Sequence, residues 1–325
     1  MPKLRRLLPV LTVLLLPSAL AAADSSLLRL VMPDAKVIAG LQVDRTRNSQ
    51  FGQFVLSHMQ LDDASFQDFV ARTGFDPRHD VAEILMASNW QSSTPQSRWL
   101  LLAKGVFDIP KLQQAAQSAG AVASSFQGTS IYSYTGRSAP NADNAIAFLD
   151  SSSAVMGDLA SVKAAIARQQ SNAVASGDLI KTVGDLSANN DFWFVTLVPL
   201  SEFAGAIPNP NVSSAMQGNT LAAINQASGG IRFGDTVTIS AQAITRSDKD
   251  AQALVDVVKF VVSMLQLNRQ NNAVAGQVAS LLDTLDTKTS GNTMSMSLAI
   301  PEQQLEQIIG QAPRPRADKK PVPQS

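Results

Sequence analysis

The chain has 325 residues, with 26 basic and 26 acidic side chains, two histidines and no cysteine. Without cysteine there are neither disulfides nor thiolate metal ligands, and the balanced charge supplies no basic stripe of the kind that nucleic acid requires, which disfavours nucleic-acid binding. Two tyrosines and three tryptophans also leave little material for a large aromatic recognition platform.

Residues 1–23 read as a signal peptide. Lys3, Arg5 and Arg6 form a positive n-region and Leu7 to Leu16 an apolar run. Ala19-Leu20-Ala21 or Ala21-Ala22-Ala23 provides a small-residue cleavage site. An uncleaved anchor is the competing reading, but a spanning helix wants about 20 apolar residues, and this stretch is shorter and carries Pro9 and Pro17. The later run Val255 to Leu267 is interrupted by Asp256, Lys259 and Gln266. The expected mature protein is therefore exported, to a periplasm or beyond the cell, with 23 basic against 26 acidic residues. Its roughly 300 residues exceed what a single core usually accommodates, so two domains or two halves are expected.

Val37, Ala39, Leu41 and Val43 alternate as in a strand, and a helix is expected from Ser49 to Thr73, stopped by Gly74. Phe75-Asp76-Pro77 then opens a turn into the apolar run Val81 to Ala87. Trp99 to Val106 is nearly all apolar, as suits a central strand covered on both faces. Asp108 caps the next helix, which carries Pro110 in its first turn and the inner stripe Leu112, Ala115, Ala116 and Ala119. Short strands follow at Thr129 to Tyr134, Ala145 to Leu149 and Ala154 to Met156, with Asp150-Ser151-Ser152 as a hairpin turn. Asp158 caps a helix whose Val162, Ala165 and Ile166 face inward. Residues 171–190 are poor in large apolar side chains and read as a linker.

The second half, 191–310, repeats the pattern of the first, 24–170. The strand at Val37 matches Phe194, Thr196, Val198 and Leu200. The cap Asp108 with its stripe matches Ser247 with Ala251, Leu254, Val255 and Val258, and the trio Val162, Ala165, Ile166 matches Leu305, Ile308, Ile309. Asp248 to Leu267 forms a long amphipathic helix, and a further helix is expected to bear Val274, Val278, Leu281, Leu282 and Leu285. Met294, Met296, Leu298 and Ile300 alternate with Thr293, Ser295, Ser297 and Ala299, a strand with one buried and one polar face. The expected fold is α+β, in two similar halves, each an antiparallel sheet with helices packed on one face. Residues 311–325, rich in proline and basic side chains, cannot build a core and are expected to be a disordered tail.

The sequence contains no G-x-S-x-G elbow, S-x-x-K, H-E-x-x-H, P-loop or G-x-G-x-x-G, and no catalytic, cofactor or metal residue is assigned. His79 sits between Asp76 and Asp80, where carboxylates could raise its pKa or complete a metal site. The plainer reading is a polar turn set by Asp and Pro. Trp90, in Asn89-Trp90-Gln91-Ser92-Ser93, is the best candidate for an exposed contact. Phe51, Phe54, Phe66 and Phe69 lie at helical separations and read as core.

The phrases Phe75-Asp76-Pro77-Arg78-His79-Asp80-Val81, Gly105-Val106-Phe107-Asp108-Ile109-Pro110-Lys111-Leu112 and Gly157-Asp158-Leu159-Ala160-Ser161-Val162-Lys163-Ala164-Ala165-Ile166 resemble those of uncharacterised exported bacterial proteins. The resemblance covers mainly the first half, implies a bacterial, envelope-facing protein, and brings no catalytic residues. The expectation is an exported, non-catalytic binding or interaction protein, with an envelope protein, a lipid or a polymer as partner. The alternative is an exported hydrolase whose carboxylates converge only in the fold.

Overall fold

The computed structural model describes residues 22–58, 64–91, 97–136, 139–177, 179–200, 202, 221–267, 276 and 279–311. The expected leader up to residue 21, the tail from 312, and Val274 and Val278 of the next expected helix lie outside them; of that helix, 279–281 are helical and Leu282–Thr284 form a 3-10 turn.

The alternating segments become strands. They are β1 (Val37–Gln42), β2 (Val81–Ser88), β3 (Trp99–Gly105), β4 (Val122–Phe126), β5 (Thr129–Gly136), β6 (Ala139–Asp150), β7 (Ser153–Asp158), β8 (Phe192–Thr196), β9 (Ile224–Arg232), β10 (Thr236–Thr245), β11 (Asp286–Ser290) and β12 (Thr293–Pro301). They join in one antiparallel sheet, ordered β11-β12-β10-β9-β8-β1-β2-β3-β7-β6-β5-β4. The fold is α+β with a large antiparallel sheet. Two separate sheets were expected. Instead β1 pairs directly with β8, Val37 opposite Thr196 and Leu41 opposite Phe192, which makes the sheet continuous.

The helices are α1 (Ser25–Leu28), α2 (Val43–Asn48), α3 (Gln50–His58), α4 (Ala64–Thr73), α5 (Pro77–Asp80), α6 (Ile109–Ser118), α7 (Leu159–Gln170), α8 (Ile180–Asn189), α9 (Asp248–Leu267) and α10 (Glu302–Gln311). Val43, read as the end of the first strand, instead starts α2. The helix read from Ser49 to Thr73 corresponds to α3 and α4, with 59–63 outside the described residues. No helix among the described residues is long and apolar enough to cross a membrane.

The helices do not keep to one side. Cross-strand partners share a face, so register sorts the core. Ile38, Leu85, Leu100, Leu102, Val155, Ala147, Ile131, Trp193 and Val195 lie on one face, packed with Leu27 before α7 (Val162, Ala165, Ile166) and α8 (Val183). The other face is covered at two places. Leu112 of α6 packs with Phe107 and Ala154, and Ala251, Leu254 and Val255 of α9 pack with Ala227, Ala243 and Met294. The expected single helical face is therefore corrected. β3, Trp-Leu-Leu-Leu-Ala-Lys-Gly, was expected to be covered on both faces, but only Leu100 and Leu102 are buried; Trp99, Leu101 and Ala103 on its other face are half-buried, and Met86 opposite Leu101 is exposed.

Residues 171–190 are also more than a linker, because α8 lies within them and buries Val183 and Ser187 completely, with Leu179 just before it. Small side chains at helical spacing hid this element from a reading weighted toward large apolar residues.

The caps stand where the sequence places them. Asp158 Oδ1 accepts from Ser161 N at 2.8 Å at the start of α7, while its Oδ2 accepts from Trp99 N at 3.0 Å at the start of β3. Loss of an N-cap costs about 1–2 kcal/mol, and here a strand amide loses its acceptor too. Asp158→Ala is expected to cost the upper part of that range in urea unfolding, and Asp158→Asn less than half as much.

Candidate functional site

Asp76, His79 and Asp80 lie together in the turn before β2. Asp76 N-caps the short helix α5, its Oδ1 accepting from Arg78 N at 3.0 Å and from Arg78 Nε at 2.8 Å, while Oδ2 meets Arg78 Nη2 at 2.5 Å. Asp80 Oδ2 accepts from Asp76 N at 2.7 Å. Arg47 Nη1 donates to the carbonyls of Arg78 and His79 at 2.7 and 2.8 Å. Both carboxylates are thus engaged in holding the turn, and the His79 side chain is exposed. Among the described residues no three metal-ligating side chains converge.

The hydrogen bond from the Arg78 side chain, opposed by partial burial, holds the Asp76 carboxyl below the ordinary carboxylate range. A depressed folded-state pKa contributes stability above the unfolded value of about 3.9 and loses it as pH falls through the folded one. Asp76→Asn is therefore expected to destabilise at pH 7 by about 1 kcal/mol, and the difference from the parent should vanish toward pH 2 in a pH series of urea unfolding.

Trp90 lies beyond the other end of β2, roughly 25 Å of strand away, so the four candidate residues form no single site. Its φ is +29°, a strained value for a bulky residue. Its indole Nε1 donates to Glu202 Oε2 at 2.8 Å, and its backbone N–H to Ser88 Oγ at 3.1 Å. Lys36, Gln91, Leu197 and Pro199 complete a shallow cleft of about 390 Å³. The partner Glu202 is 112 residues away in sequence, so only the fold could reveal it.

The structure adds two features that sequence reasoning missed. On the C-terminal strands the face that is apolar further along the sheet turns polar. Ser228, Gln242, Ser295 and Lys288 form one cross-strand row, and Ser240, Ser297 and Asp286 the next. With Leu186 of α8 they line an open groove of about 370 Å³. The Ser295 and Ser297 alternation was the available signal.

The second feature is an ionic cluster beneath α1. Glu83, on the covered face of β2, is only 6% exposed and accepts from Asp24 N at 3.1 and 3.3 Å. Lys104, its cross-strand neighbour on β3, lies 3.7 Å from Asp24 Oδ2 and within 3.3 Å of Ser26 Oγ. Burial, reinforced by the nearby Asp24 charge, pushes the Glu83 carboxyl above its ordinary value. Asp24 is pulled the other way: burial raises it, but hydrogen bonds from Ser26 and the Lys104 charge outweigh burial and lower it overall. Arg45 stands nearby with its own partners, Asp191 Oδ1 at 3.2 Å and the carbonyls of Ser187 and Asn190 at the end of α8. The signal for this cluster in the sequence was one acid, Glu83, inside an apolar strand.

No family model matches the chain, and no curated protein does. Among solved structures, crystal form I of TP0453 is similar over 89% of this chain and 97% of its own length, with a TM-score of 0.47 and 10% identity.

Proposed function

We propose that the chain is an exported, non-catalytic binding or interaction protein of the cell envelope or extracellular space, whose partner is an envelope protein, a lipid or a polymer. The observation that carries this reading is the outward face of α9. The first half of that helix covers the sheet with Ala251, Leu254 and Val255. Further along, Phe260, Met264 and Leu267 follow at separations of four and three, one helical stripe, with Phe260 64% and Leu267 80% exposed. Large apolar side chains grouped on a surface mark contact sites more often than scattered ones do.

We propose as well that the chain consists of two related halves. The support is the order of elements. β1-β2-β3-β7, with α6 after β3 and α7 after β7, parallels β8-β9-β10-β12, with α9 after β10 and α10 after β12. The caps correspond as well, Asp108 accepting from Lys111 N and Ser247 Oγ from Asp250 N.

The test is native mass spectrometry on the protein purified from its own host. A reproducible added mass, lost when Phe260 and Leu267 are both changed to serine without a change in unfolding midpoint, is the expected result. A bare chain that turns over an envelope substrate would overturn it in favour of the exported hydrolase.

A further inference from the structure

The ionic cluster beneath α1 is one positive charge short. Glu83 and Asp24 bring two carboxylates and Lys104 one ammonium, while Arg45 is engaged by Asp191 and the end of α8. What faces the Glu83 carboxylate from Asp24 is a main-chain nitrogen, at 3.1 Å from Oε2 and 3.3 Å from Oε1. That nitrogen belongs to the residue immediately after Ala21-Ala22-Ala23, one of the two small-residue sequences at which a leader could be cut.

We infer that cleavage after Ala23 converts the Asp24 nitrogen into an α-ammonium that pairs with the buried Glu83 carboxylate, making the mature N-terminus a structural ion of the core. The inference rests on the export reading. In the cut, the peptidase that removes the leader hydrolyses the Ala23–Asp24 bond. Water supplies the hydroxyl that stays on the Ala23 carbonyl and a proton to the departing nitrogen, and the amine takes one more proton from solvent at neutral pH.

The new charge arises where two oxygens of a nearly fully buried carboxylate already accept from that atom, so no rearrangement is needed to form the pair. Leader removal takes place on the unfolded, translocating chain, so the burial of Ala23 in the uncut fold is no obstacle. The contacts given up are the bond from Ala23 N to Ser187 Oγ at 2.9 Å and the packing of the buried Ala23 side chain in the core. A cut after Ala21 would keep that bond and leave Asp24 N an uncharged amide.

The groups facing Glu83 are Asp24 from the cap of α1, Gln42 from β1 and Arg45 from α2, with Lys104 on β3 reaching Asp24. In the uncut chain a raised Glu83 pKa means stability that is present at low pH and lost as pH rises through the raised value. In the processed chain the ammonium offsets this.

The experiment compares the full-length chain made in an exporting bacterium with the same chain made in a membrane-free translation extract, which keeps the leader. Each is made with Glu83 and as Glu83→Gln. Intact mass of the exported form is expected to begin at Asp24. Glutamine still accepts from an amide but cannot neutralise an ammonium. Glu83→Gln should therefore raise the unfolding constant of the processed chain at least about tenfold more than that of the uncut chain. Since Glu83→Gln could fail to fold once processed, the parent gives a second readout. Its α-amine should react with an amine reagent at least about tenfold more slowly in native buffer than in urea.

Processing after Ala21, equal effects of Glu83→Gln in both forms, or an α-amine equally reactive in both solvents would overturn the inference and leave export standing. A leader retained by exporting cells would overturn both.

Discussion

Trp193→Ala is expected to lower the unfolding free energy by about 3–5 kcal/mol, the range for a buried tryptophan truncated to alanine. Trp193 lies on β8 and is fully buried, and its indole fills the place where a side chain at Gly40 on β1 would stand. A Cβ at position 40 would lie 2.3 Å from Trp193 Cζ2, closer than such atoms ever approach. The missing side chain on one strand and the largest side chain on the next are thus a matched pair at the strand junction that makes the sheet continuous.

The match yields a sharper test than either single change. Gly40→Ala in the parent should be destabilising by about 1–3 kcal/mol through overpacking. In the Trp193→Ala background the same substitution should cost little, because the space is vacant. Urea unfolding of the four proteins should show non-additivity of at least about 1 kcal/mol. Additive costs would mean that the indole does not sit over Gly40. Trp193→Phe should be milder than Trp193→Ala, because it keeps a buried aromatic ring and leaves a smaller cavity; both changes remove an indole Nε1 that has no hydrogen-bond acceptor among the described residues.

The second large effect concerns the stretch that reads as a linker. Val183→Asp should prevent folding or cost about 4 kcal/mol or more, since it places an unpaired carboxylate where Val183 is fully buried against the sheet. Val174→Asp, nine residues earlier and 83% exposed, should change stability by no more than about 0.5 kcal/mol. A true linker would tolerate both substitutions equally, so the contrast in folded yield and urea midpoint separates the two descriptions.

Local chemistry was the legible part of this chain. Asp108 and Asp158 cap the helices that their positions announce, and Met294 alternates with Ser295 and Ser297 as a strand with one polar face does. What escaped is set by partners distant in sequence. Nothing near Gly40 signals that Trp193 will cover it, and nothing near Trp90 signals Glu202. The side on which each helix packs follows from cross-strand register, which no single segment encodes. α8 escaped for a different reason, since Val183 and Ser187 are too small to mark a buried face by size. Of the candidate site residues, Asp76 and Asp80 were readable because turn chemistry is local. The Glu83 cluster was only hinted at, by an acid inside an apolar strand, because its meaning depends on a backbone nitrogen 59 residues earlier.

The central structural claim is that one continuous sheet runs through the pairing of β1 with β8. Native-state hydrogen exchange followed by mass spectrometry tests it directly. Peptides covering β1 and β8 are expected to exchange only with global unfolding, at the same low rate as those of β2 and β3 on one side and β9 and β10 on the other. Rapid exchange of β1 and β8 while the flanking strands stay protected in two separate classes would contradict it.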